Sequence, residues 1–238
     1  MSAWAWVLAN LAVLLGAALH GSVGFGVNLV VVPVLLMLDP KLVPGPVLVV
    51  ATVLTVLISL RERGAIHRGE LMRLIGGAVP GLVAGAIVLR MISERGLAIM
   101  IGVFVLAAVV LSALGWRPKT GAKTTVVAGA VAGFMGTTAA IPGPPVALAY
   151  QGRDGAAIRG MLGAFLVFLN PVALATLAMV GEFGRTQMVA GLGLVPGVVV
   201  GFLVSSRTRH YLKGRRMRWA VLAVSAAAAV AVLVQALG

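Results

Sequence analysis

The chain contains no cysteine and only six acidic residues in 238. Without cysteine there is no disulfide and no thiolate metal site. The carboxylates, Asp39, Glu62, Glu70, Glu94, Asp154 and Glu182, fall in or beside the short polar stretches between long apolar runs. That placement excludes a carboxylate proton relay through the apolar interior. Charge of either sign is scarce, at 11% of residues against about a quarter in a soluble domain. No Lys or Arg precedes Lys41, so the first apolar run lacks the basic flank of a secretory leader and reads as a retained membrane segment.

What is present is apolar surface. Hydrophobic residues make up 61% of the chain and its mean hydropathy is +1.09, which requires a bilayer as solvent. The formal charge of +13 comes from 19 basic residues that sit almost wholly in short loops. They read as a positive-inside signal toward an anionic leaflet, not as a nucleic-acid surface. Trp4, Trp6, Trp116 and Trp219 fall at the ends of apolar runs, where the headgroup layer favours them.

Six uninterrupted runs read as spanning helices: residues 43–60, 74–89, 97–114, 161–180, 188–204 and 219–237. Two further apolar stretches are broken by Gly and Pro, LHGSVGFGVNLVVVPVLLML from Leu19 and VAGFMGTTAAIPGPPVALAY from Val131. A shift of 112 superimposes Gly21 on Gly133, Gly24 on Gly136, Pro33 on Pro145, Val34 on Val146 and Leu36 on Leu148. At a shift of 116, GAVPGLVAGAIV from Gly77 lies over GLVPGVVVGFLV from Gly193, with the glycines and the proline coincident. Interrupted hydrophobic segments at matching places in two halves point to the binding site of a transporter.

Charge decides how the breaks cross. If each broken stretch spans once, the 19 basic residues divide 8 against 11 between the two faces. If residues 124–150 enter and return on one side, 15 basic residues share a face and only Lys41, Arg90, Arg95 and Arg185 remain on the other. The second division fits the positive-inside rule. The expected fold is therefore an all-α integral membrane protein of two inverted repeats, residues 1–118 and 119–238. Each repeat is a re-entrant, broken helical hairpin (4–38, 124–150) plus three transmembrane helices, the charge count bearing on the second hairpin and the first following by repeat analogy. Basic loops face the cytoplasm and both termini lie outside.

Backbone at membrane depth must be buried in protein or line a wet cavity. Two hairpin tips meeting near the midplane would make such a cavity, and the helix starts there carry free N–H groups that suit an anion. Gly21, Gly24, Gly26, Gly133 and Gly136 would let the chain turn and approach a ligand, and Pro142, Gly143, Pro144 and Pro145 enforce a non-helical stretch. Polar side chains near the tips are few: His20, Ser22, Asn28, Thr137 and Thr138, with Asn170 inside a later helix. The candidate substrate-binding set is His20, Gly24, Gly26, Asn28, Gly136, Thr137, Thr138, Gly143 and Asn170. Competing structural roles are back-bonding to the helix for the two threonines and helix-helix hydrogen bonds for the two asparagines. His20 is the one ionisable side chain expected at membrane depth. No catalytic residue, metal or cofactor is implied.

These residues resemble the sulfite exporter TauE/SafE family, also called the toluenesulfonate uptake permease family. The resemblance is carried by Gly21-Ser22-Val23-Gly24-Phe25-Gly26 followed by Pro33, and by Gly133-Phe134-Met135-Gly136 followed by Pro142-Gly143-Pro144-Pro145. The first tip departs from it, since the family more often runs three glycines together. The resemblance implies a non-enzymatic carrier in the bacterial inner membrane. Its substrate would be a small sulfur anion such as sulfite, a sulfonate or sulfoacetate, moved by alternating access with a proton or sodium as possible coupling ion. An anion channel could use the same dipole-lined tips. An intramembrane lipid-phosphate enzyme is disfavoured because Ser22 and His20 have no acidic or arginine partner at either tip. Oligomeric state is not readable from the sequence.

Overall fold

A computed structural model describes residues 2–23, 27–61, 66–115, 121–150, 155–208 and 215–237. Among these residues the structure is helical throughout, without a strand. The helices are α1 (Ala3–Val23), α2 (Val27–Leu38), α3 (Gly45–Arg61), α4 (Arg68–Met91), α5 (Glu94–Ala113), α6 (Ala122–Ala139), α7 (Gly143–Ala149), α8 (Gly155–Met179), α9 (Arg185–Thr208) and α10 (Arg215–Leu237). Six segments are long and apolar enough to cross a membrane: Pro40–Leu60, Arg68–Met91, Glu94–Ala113, Gly160–Met179, Arg185–Ser205 and Trp219–Leu237. They are the six runs read from hydropathy. Several helices run past the apolar run that marked them, because a charged turn continues the hydrogen-bond ladder beyond the hydrocarbon. Arg68, Glu70 and Arg73 begin α4, and Arg185 begins α9.

Helix ends follow local chemistry. Ser93 caps α5 by accepting from the Gly96 N–H at 3.1 Å, with Glu94 in the first turn to meet the helix dipole. α8 stops at Gly181, whose φ of +85° suits glycine, and the Glu182 N–H returns to the Leu177 carbonyl at 2.9 Å.

α3 and α8 form the centre. Of the α3 span 72% is buried and of the α8 span 50%, against 28–39% for α4, α5, α9 and α10. The latter four therefore face the bilayer. On α4 the division is legible residue by residue: Val79, Val83 and Ile87 are exposed, while Gly77, Gly81 and Gly85 are turned to α6.

The packing repeats between halves. α6 lies on α4 as α1 lies on α9; α8 touches α4 as α3 touches α9; α3 pairs with α8 and α5 with α10. Glycines set both crossings. A Cβ on Gly81 would lie 2.9 Å from the Ala130 carbonyl carbon and from the Phe134 nitrogen, so the two backbones are in direct contact. From the other side Gly129 and Gly133 meet the Leu74 and Ala78 carbonyl groups. At the second crossing a Cβ on Gly197 would lie 2.6 Å from the Asn10 carbonyl oxygen and one on Gly201 would lie 2.8 Å from the Ala17 Cβ.

This second crossing carries a polar clasp. The Asn10 Nδ2 donates to the Trp6 and Gly193 carbonyls, each at 3.2 Å, and its Oδ1 accepts from the Gly197 N–H at 3.2 Å. Pro196 disrupts the ladder at this turn of α9, and one amide satisfies groups on both sides of it.

The crossings also correct the sequence register. Ala130, Phe134 and Thr137 stand against Gly81 and Gly85 as Asn10, Leu14 and Ala17 stand against Gly197 and Gly201. In packing, each α1 residue thus corresponds to the α6 residue 120 positions later, not 112. Beyond the matched pair Ala17 and Thr137, α1 runs on to Val23 while α6 stops at Ala139, so α1 is longer there by about one turn.

Candidate functional site at the meeting of the two breaks

The second break is fully seen. α6 ends at Ala139 and is capped by Ala140, which takes the left-handed conformation (φ 56°, ψ 31°) usually left to glycine. Its N–H donates to the Gly136 carbonyl at 3.0 Å, and the Ile141 N–H reaches the Met135 carbonyl at 3.2 Å. Ala140, Ile141 and Pro142 are buried, as backbone at membrane depth requires. α7 then starts at Gly143 and packs back on α6. The turn is therefore three residues of Ala, Ile and Pro. Gly133 and Gly136, expected to be the pliant residues, lie inside α6, where Gly133 serves the α4 crossing.

The helix start at this break is a poor anion cradle. Among residues 142–145 only Gly143 has an N–H, because the other three are proline. Gly143 does have room, since a Cβ there would meet nothing within 4 Å. The start of α2 is richer, with no proline before Pro33.

Asn28 joins the two breaks. From the first turn of α2 its Nδ2 donates to the carbonyl of Ala140, the left-handed residue of the second break. Around this link stands α8. A Cβ on Gly136 would meet Pro142 Cβ at 3.2 Å and Leu169 Cδ2 at 3.3 Å, which places the residue before Asn170 against the second break. Asn170 is 1% exposed. Its Nδ2 reaches Thr55 Oγ1 of α3 at 3.5 Å, and Thr55 donates onward to the Ala51 carbonyl at 2.6 Å. The Asn170 Oδ1 has no partner among the described residues. A buried acceptor left unpaired costs about 1–3 kcal/mol, so a ligand, ion or water that supplies a donor there is favoured.

The structure thus brings Asn28 and Gly136 to the Ala140 turn, with Gly143 three residues beyond it, and sets Leu169, the neighbour of Asn170, against Gly136. Thr137 and Thr138 are fully buried and bond back to the Gly133 and Phe134 carbonyls at 3.0 and 2.8 Å. The Thr137 Cβ packs toward Gly85 of α4. His20 falls in the last turn of α1, but its side chain lies outside the described residues, as do Gly24 and Gly26. Two participants were missed in the sequence. Ala140 carries no compositional signal, since a left-handed alanine looks like any other. Asn10 did carry one, a lone amide in an apolar run.

A family model described as "Sulfite exporter TauE/SafE" matches residues 9–232. The chain belongs to the sulfite exporter TauE/SafE family. The match runs from within α1 to within α10 and so includes both breaks. Membership together with the six spans makes this TauE/SafE chain a multi-pass membrane protein of a transporter family. No curated protein and no solved structure matches it significantly.

Proposed function

We propose that this TauE/SafE protein is a secondary transporter that carries a small sulfur oxyanion or organosulfonate across the cytoplasmic membrane by alternating access. The substrate is held where the two breaks meet. The observation that carries this reading is the Asn28 bond to Ala140, which couples the start of one broken pair to the turn of the other. Donors at hand are the first-turn N–H groups of α2, the Gly143 N–H and the Asn28 amide. The Asn170 Oδ1, an acceptor, suits the coupling proton or sodium, or a protonated substrate oxygen. His20, Gly24 and Gly26 complete the site from the first tip, and Thr137 and Thr138 support it from α6.

Two inverted repeats, residues 1–118 and 119–238, agree with the exchange of packing partners between halves. Re-entrant hairpins agree with helix length. At 1.5 Å per residue the 7 residues of α7 reach about 10 Å and the 12 of α2 about 18 Å, short of a ~30 Å core. The basic loops then face the cytoplasm and both termini lie outside.

Proteoliposomes loaded with sulfite, sulfoacetate or a small sulfonate, with and without proton and sodium gradients, test the reading. Saturable exchange is expected. Asn28→Ala raises the half-saturation concentration about tenfold or more, the effect of losing one hydrogen bond to a charged group. Unchanged half-saturation in both Asn28→Ala and Asn170→Ala removes the site, and single-channel currents replace the carrier with a channel.

A further inference from the structure

The two broken pairs differ in length, and the shorter one leaves a space. α2 has 12 residues and packs along α10, whereas α7 has 7 and scarcely touches α5. The gap is an apolar groove of about 320 Å³ between α5, α6 and α7. Phe104, Ala107 and Leu111 form one wall, Val127 and Val131 the second, and Leu148 with Pro144 and Pro145 the third. Phe104 is held in place edge-on to Phe134, with ring centres 6.0 Å apart. Val127 and Val131 are exposed, so the groove opens to the bilayer and not to the core.

One end of the groove lies beside a basic residue. Leu111 near the end of α5 and Thr124 in the first turn of α6 both line it, so this end lies at the close of α5 and the start of α6. Lys123, next to Thr124, is exposed. The N-cap of α6 is Gly121, which offers no side chain to the helix start. A positive helix end and a lysine thus stand over an apolar slot that runs inward to Met135 and Pro144.

We propose that this groove binds an anionic phospholipid, with one acyl chain along α7 and the phosphate at Lys123 and the first turn of α6. A chain seated there buttresses the outer face of α7, and so the second break, from the side that α5 leaves bare. The proposal does not depend on which substrate the protein carries.

Phosphatidylglycerol and phosphatidylcholine bearing a photoactivatable group in the acyl chain, each incorporated into proteoliposomes of the full chain, separate the possibilities. Peptide mapping is expected to place the phosphatidylglycerol adducts on Ala107, Leu111, Val127, Val131 and Leu148, in excess over phosphatidylcholine. Lys123→Gln lowers phosphatidylglycerol labelling about fivefold, the effect of one basic residue near an anionic surface, and leaves phosphatidylcholine labelling unchanged. Val127→Trp fills the slot and suppresses both. Adducts spread evenly over the outer faces of α4, α5, α9 and α10, equal yields from the two lipids, or indifference to Lys123→Gln would each overturn the proposal. So would a disulfide-linked dimer of Ala107→Cys in this otherwise cysteine-free chain, which makes the groove a contact between two copies.

Discussion

Adding one methyl group to neighbouring glycines of α4 should have opposite effects. Gly81 faces α6, and its added Cβ would lie 2.9 Å from the Ala130 carbonyl carbon and from the Phe134 nitrogen. Carbon atoms in contact prefer about 3.5–4.0 Å and the Ala130 carbonyl oxygen lies nearer still, so the helices must part by at least roughly 0.6–1.1 Å along a crossing that Gly77, Gly129 and Gly133 also keep close. The obstructing atoms are main chain and cannot rotate away. Overpacking of this kind costs about 1–3 kcal/mol, and a backbone obstruction belongs at the upper end. Gly76 is one residue from Gly77 on the same helix, and a Cβ there meets nothing within 4 Å. Gly76→Ala should gain the ~0.5–1 kcal/mol by which alanine exceeds glycine in a helix. Thermal unfolding in one detergent, followed by size-exclusion or intrinsic fluorescence, should therefore show Gly81→Ala and Gly77→Ala lowered and Gly76→Ala raised. Equal shifts at all three positions would refute the close α4–α6 crossing.

Three further substitutions probe the polar groups. Asn170→Leu removes the unpartnered Oδ1 and its weak link to Thr55, so thermal stability is expected to hold or rise by up to ~2 kcal/mol while uptake in proteoliposomes is lost; retained uptake refutes a role for the amide. Asn10→Leu strips two hydrogen bonds across the α1–α9 crossing and a third within α1 and should lower thermal stability by about 2–4 kcal/mol, whereas no change would show that α9 satisfies its own proline turn. Gly143→Ala enters open space, so the fold should be unaffected while the half-saturation concentration of uptake changes; an altered unfolding temperature with unaltered uptake reverses that assignment.

Hydropathy made the six spans legible, because it responds to the bilayer, and the Gly-Pro cluster marked the neighbourhood of the second break. The positions inside the breaks were less so. Glycine coincidence at a shift of 112 paired Gly21 with Gly133, yet Gly133 is a helix-contact glycine whose Cβ position is occupied by the Ala78 carbonyl group. Close helix crossing and ligand approach select the same residue for the same reason, the absence of a side chain, so sequence alone does not divide them. The true turn at Ala140 was hidden because its left-handed backbone is imposed by burial and by the Gly136 and Met135 carbonyls, not by residue type. Asn28 and Asn170 were legible as the sparse amides of an apolar chain, and Asn28 indeed reaches across to the other break.

For the alternating-access carrier proposed above, the unequal crossings have an energetic consequence. In a perfect duplication, swapping the conformations of the two halves regenerates the same molecule facing the other way, and the two facings are degenerate. Here one crossing is kept close by glycines on both helices, and the other by α9 glycines against the α1 main chain, with the Asn10 amide bridging it across the Pro196 turn. That degeneracy is lifted. An imbalance of about 1.4 kcal/mol between the crossings skews the unloaded population tenfold toward one facing. On the alternating-access cycle proposed above, the asparagine clasp would give the empty protein a resting side, with or against which the substrate would work.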